Sequence, residues 1–167
     1  MEVIHAENMP KTIALFALLS LSFHQPAQHW QMPLDGPVQL ARPYLQPTSD
    51  YSSGHRGVDL AVHLSQDVLA PADATVSFVG HLVSRDVITL SHDGGLVSEF
   101  EPACAVVKVG QLVRTGQPIA KACDADPTYQ QHCQDLRCLH FSLRLNGKYL
   151  SPLSLIGGLS PTRLLVN

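Results

Sequence analysis

Three side chains in this sequence, His55, Asp59 and His140, are of the types that bind a transition metal through nitrogen and oxygen. His55 and Asp59 flank a glycine in Gly54-His55-Arg56-Gly57-Val58-Asp59, which places them in a bend or at a strand start and not on a helix. His140 sits in Cys138-Leu139-His140. Two imidazoles and one carboxylate supply three ligands. A tetrahedral ion held by three ligands keeps its fourth position for water, the arrangement of a catalytic zinc site and not of a closed structural one. Zinc in such a site lowers the pKa of that water and polarises a carbonyl. Alone, His-x3-Asp is a weak signal in a chain with nine histidines. A surface histidine and a turn-capping aspartate give the same spacing.

The elements that must position these residues read as short strands. Cys138 to Leu145 (CLHFSLRL) alternates: Leu139, Phe141, Leu143 and Leu145 share one face, and Cys138, His140, Ser142 and Arg144 share the other. His140 therefore points away from the oily side. Asp67–Ala70, Ala74–Gly80 and Asp86–Ser91 read as strands, the last ended by the turn His92-Asp93-Gly94-Gly95 and answered by Leu96–Phe100. Val106–Val109, Leu112–Gly116 and Pro118–Ala120 add further short strands. No segment after position 30 keeps a helical period. The expected fold is mostly β, an antiparallel sandwich or curled sheet.

Composition limits the function classes. The chain has 167 residues, 45% hydrophobic and 15% charged, enough for one domain with trimmings. Eleven Lys and Arg against fourteen Asp and Glu give a net charge of −3 without a basic block, which argues against a nucleic-acid partner. Ile13–Phe23 (IALFALLSLSF), preceded by Lys11, has the length of a signal-peptide core and is too short to span a bilayer, so an integral membrane protein is not expected. Residues 1–27 are thus assigned to a signal peptide and 28–53 to a lead-in rich in Pro, Gln and Ser. A β domain over 54–156 and a tail over 157–167 complete the division. Localisation is expected to be secreted, outside the cell, and the resemblance given next implies the cell wall.

In one order along the chain, these motifs resemble the lysostaphin/LytM-type zinc metallopeptidases, a family of peptidoglycan endopeptidases. Gly54-His55-Arg56-Gly57-Val58-Asp59-Leu60-Ala61 resembles the family's first motif, and Leu139-His140-Phe141-Ser142-Leu143 its last. Between them, Val68 to Val76, Val87 to Gly95 and Val109 to Ala120 resemble its intervening segments, and Tyr149 to Leu155 its closing one. The likeness is to the small exported actinobacterial members with a Cys-Leu-His ending. It implies a LytM-type β-sheet core with a shallow groove, Zn2+ held by His55, Asp59 and His140, and peptidoglycan as substrate.

Two positions depart from the family pattern. Cys138 stands where the family has the first histidine of His-x-His, and Phe100-Glu101-Pro102 stands where it has a second helper histidine. His132, Glu101 and His92 are the candidates for replacing them, with His132 the first catalytic candidate. Four cysteines allow three pairings. In an exported chain Cys133 and Cys138 are near enough in sequence to close a small loop, and Cys104 and Cys123 would then pair, but the sequence does not choose among the three. A structural zinc site of His132, Cys133, Cys138 and His140 is the competing use. The expected function is an exported zinc metalloendopeptidase. The alternative is a catalytically degenerate wall-binding or regulatory module that activates a separate cell-wall hydrolase as its partner.

Overall fold

The computed structural model describes residues 30–49, 51–129, 133 and 136–156. The segment expected to be a signal peptide, the tail from 157 onward and His132 lie outside these residues. Among those described, the chain forms β1 (Leu40–Arg42), β2 (Gly57–Ala61), β3 (Asp67–Leu69), β4 (Ala74–Leu82), β5 (Arg85–Ser91) and β6 (Leu96–Glu101). β7 (Ala103–Ala105), β8 (Leu112–Val113), β9 (Pro118–Ala122), β10 (Cys138–Leu145) and β11 (Lys148–Leu150) follow. The fold is mostly β, and the named strands pair antiparallel among the described residues.

The larger sheet runs β1-β2-β10-β6-β5-β4-β8, with β11 added to β10, and the smaller runs β3-β9-β7. β10 lies between β2 and β6, and its alternation divides the sheet into two faces. Leu139, Phe141 and Leu143 point into the core with Val58 and Leu60 of β2, Phe100 of β6, and Ile88 and Leu90 of β5, all fully buried. Phe100 and Phe141 stack with ring centroids 4.9 Å apart. The small sheet adds Val68, Ile119 and Ala120 to the same core. Burying a Phe or Leu side chain is worth ~1.5–3 kcal/mol, so this layer fixes the register of β10. A one-residue slip would put His140 in the core.

The opposite face is polar. The register sets Asp59, His140 and Glu101 in one row, and Gly57, Ser142, Glu99 and Thr89 in the next. The first row crosses three adjacent strands and the second four.

Three local expectations fail for physical reasons. Val106–Val109 is a turn and not a strand. Only Val107 finds the core, while Val106 and Val109 are exposed, and Gly110 takes a positive φ of 84°. The strand lies just before it, at β7. Leu112–Gly116 is extended only over β8, because Gly116 turns the chain at φ 79° and Thr115 N–H and Oγ1 donate to Asp73. Leu145 is 41% exposed despite its face, since β10 ends there in the Asn146-Gly147 turn.

Candidate metal centre

The strand register brings His140 opposite Asp59, and the two share the polar face. His55 precedes β2 and is held by the segment before it. Leu45 and His55 exchange two backbone hydrogen bonds of 3.0 and 2.9 Å. The Nδ1–H of His55 donates to the Pro43 carbonyl at 2.7 Å. A carbonyl only accepts, so the neutral ring carries its proton on Nδ1 and keeps a lone pair on Nε2. That Nε2 lies 3.1 Å from Asp59 Oδ1 and 3.2 Å from Nδ1 of His140. Nδ1 of His140 lies 2.7 Å from the same Asp59 oxygen. Three donor atoms from three places in the chain therefore converge on one point.

Gly57 makes this approach feasible. A Cβ there would sit 2.6 Å from Nε2 of His140 and 2.5 Å from the Phe141 carbonyl oxygen. Gly54 is similarly confined, against Pro47 Cγ at 2.7 Å and the Leu45 carbonyl at 2.8 Å. Both glycines of the Gly-His-Arg-Gly stretch thus serve close packing around the two imidazoles.

Electrostatics point the same way. Asp59 is 1% exposed and His55 3%. Burial opposes the charge on Asp59, yet its close polar contacts with His140 and then His55 hold its carboxyl below the ordinary carboxylate range. A buried carboxylate kept ionised between two imidazoles fits a divalent cation of the zinc type. His55, Asp59 and His140 offer one ligand atom each, all within 4.8 Å of one another.

The other candidates separate. The described cysteines form two disulfides, Cys104–Cys123 and Cys133–Cys138. Cys138 is therefore no thiolate, and the four-ligand site with Cys133 lacks its sulfur ligands. His92 is on the core side: Nε2 meets Ser98 Oγ at 2.8 Å, Nδ1 meets the Asp73 carbonyl at 3.0 Å, and the ring packs 4.5 Å from Trp30. It cannot serve the opposite face of the sheet, so it is removed as a helper. Glu101 is on the correct face beside His140, but it is ion-paired with Arg85 at 2.8 Å.

Several participants escape a reading of sequence. The Pro43 carbonyl acts through backbone, so its residue type carries no signal. Arg85 and Tyr129 belong to no motif. Their placement beside Glu101, with the Arg85 guanidinium 5.1 Å from the Tyr129 ring centroid, comes from tertiary structure. Ser142 could have been flagged, since alternation puts it on the face of His140. Its Oγ is buried without a hydrogen-bond partner among the described residues.

Comparison with known proteins gives a consistent picture. The family model described as Peptidase family M23 matches residues 53–152. An uncharacterized protein of Mycobacterium tuberculosis is 37% identical over 136 residues, covering 79% of this chain and 53% of that protein. The murein hydrolase activator NlpD of Salmonella typhimurium is 26% identical over 137 residues, covering 80% of this chain and 33% of NlpD. The chain thus spans about half the length, or less, of these curated relatives. A zinc-containing peptidase from Vibrio cholerae superposes with a TM-score of 0.61 at 22% identity, covering 73% of this chain and 38% of that one. At that identity the likeness is one of fold.

Proposed function

The chain belongs to peptidase family M23, and on that premise we propose that it is an exported zinc metalloendopeptidase acting on the cross-link peptides of peptidoglycan. The observation that carries this reading is the convergence of His55 Nε2, Asp59 Oδ1 and His140 Nδ1 on the polar face of the sheet. His55, Asp59 and His140 would hold the metal, which supplies Lewis acidity toward a peptide carbonyl and a water. Asp59 contributes the negative charge. The Pro43 carbonyl fixes the His55 tautomer, and Gly57 admits the His140 ring. The polar rows beside them mark the face along which an extended peptide would lie.

Zinc content and peptidoglycan digestion by the purified chain test the proposal together. Wild type is expected to carry one zinc and to release peptide fragments. Asp59→Ala and His140→Ala are expected to lose zinc by orders of magnitude while remaining folded. Stoichiometric zinc in both variants would place the ligands elsewhere.

A specific observation favours a second reading. Cys138 is tied to Cys133, and Glu101 is tied to Arg85, so neither helper position offers an imidazole. Losing one transition-state donor typically costs ~10²–10³ in rate. The alternative is a wall-binding module that activates a separate hydrolase, the role named for the NlpD relative. Digestion that begins only when such a hydrolase is added would select it.

A further inference from the structure

On the polar face that carries the three convergent donors, the Arg85 guanidinium has two neighbours, Glu101 and Tyr129. Arg85 opens β5, and its Nε lies 2.8 Å from Glu101 Oε2. Its guanidinium carbon sits 5.1 Å from the centroid of the Tyr129 ring. Glu101, buried at 8%, is the cross-strand neighbour of His140. Among the described residues neither terminal nitrogen of Arg85 has a hydrogen-bond or ion-pair partner, and the side chain is 27% exposed. Arg144 on the same face differs, because its Nη2 is already paired with Glu99 at 3.2 Å. Arg85 is thus held by its ion pair with Glu101, without a hydrogen bond at Nε, and through its flat face, and its terminal nitrogens have no partner among the described residues.

A planar fork of that kind matches a carboxylate, which it can engage with two parallel hydrogen bonds. Holding the guanidinium in place beforehand removes much of the entropy cost of binding. β5 lies two strands from β10, about 10 Å at the usual strand spacing, and the pairing with Glu101 brings the Arg85 head back toward His140. Glu101, which holds that head, lies one strand spacing of about 5 Å from His140, the length of one to two residues of extended peptide.

We propose that Arg85 determines specificity by reading a free carboxylate on the peptide, close to the bond presented at His55, Asp59 and His140. The inference rests on the peptidase reading for the position of the peptide. It goes beyond that reading in naming the substrate feature: a peptide that carries a free carboxylate near the scissile bond, in preference to an amidated or uncharged one. Glu101 and Tyr129 act as positioning residues.

The test uses the full chain and two synthetic cross-linked peptides, identical except for a carboxylate or a carboxamide on the residue beside the scissile bond. Binding is measured on the chain freed of zinc by chelation, where no cleavage competes, and KM and kcat on the zinc-loaded chain. Wild type is expected to bind the carboxylate peptide about tenfold or more tightly, with the difference appearing in KM. Arg85→Gln should bring the ratio near one, and Arg85→Lys should keep only part of it. Because Arg85→Gln strands the buried Glu101, the Arg85→Gln/Glu101→Gln pair is measured alongside, with melting temperature reporting the fold. Equal binding of both peptides by wild type, or a preference that survives in a folded Arg85→Gln chain, would overturn the inference. So would no binding of either peptide, or an equal fall in kcat for both, which would make Arg85 a transition-state donor. Cleavage of neither peptide by the zinc-loaded wild type would count against the peptidase reading, while the metal-free binding ratio still decides the role of Arg85.

Discussion

Gly57 carries a requirement that its own chemistry does not reveal. It supplies no ligand, yet a single added carbon there would collide with both the His140 ring and the Phe141 backbone. The ring can swing but the backbone of a central strand cannot, so Gly57→Ala is expected to push His140 away from Asp59. Supporting positions around a metal typically cost 10–100-fold in affinity when changed. Zinc titration of Gly57→Ala should therefore show a loss of about that size, with circular dichroism unchanged. An unaltered zinc affinity would mean that His140 binds from another direction. Cys138 illustrates the reverse case: alternation places it on the His140 face, but its bond to Cys133 removes the thiolate.

At the scale of elements, the segment before β2 is tied to the sheet from both sides. Pro43 and Leu45 hold His55 on the polar side. Trp30 and Leu34 are buried in the core, where His92 packs against Trp30 and bonds to Ser98. Burial lowers the pKa of His92, with the bond to the Asp73 carbonyl and the nearby Asp93 partly opposing it. The folded chain therefore takes up this proton less readily than the unfolded chain. Its contribution is fully present above the unfolded pKa of about 6.5 and is lost as pH falls through the lower folded value. Chemical denaturation between pH 7.5 and roughly 5 should show falling stability in wild type and a flatter profile in His92→Gln. The same slope in both would assign the pH dependence to other groups.

For the whole molecule, two disulfides in a chain of 167 residues are consistent with the proposed export to an oxidising compartment. Cys104–Cys123 joins β7 to the end of β9, and removing such a bond from a small domain costs ~2–5 kcal/mol. Among the described residues no helix is long and apolar enough to cross a membrane. The export proposed above would depend on the Lys11 and Ile13–Phe23 stretch. Fusing residues 1–35 to a reporter active only outside the cytoplasm is expected to give signal. A silent fusion from both the Met1 and Met9 starts would count against export.

Alternation in CLHFSLRL was enough to place His140 on the face away from the core, because a strand has a period of two whatever surrounds it. The ordered motifs were enough to point to the family, and the mostly β architecture followed from short apolar runs cut by Gly, Asp and Pro. What tertiary structure alone decided is which atoms meet. The Pro43 carbonyl, the Arg85 head and the Tyr129 ring reach the site from positions 12, 55 and 11 residues away from His55, His140 and His140 respectively. His92, equally a histidine, went to the opposite face because its partners Ser98 and Trp30 lie in the core. Short-range sequence fixes the direction of a side chain along its own strand. The neighbours it meets across the sheet depend on register and on loops, and those are set by how the whole core packs.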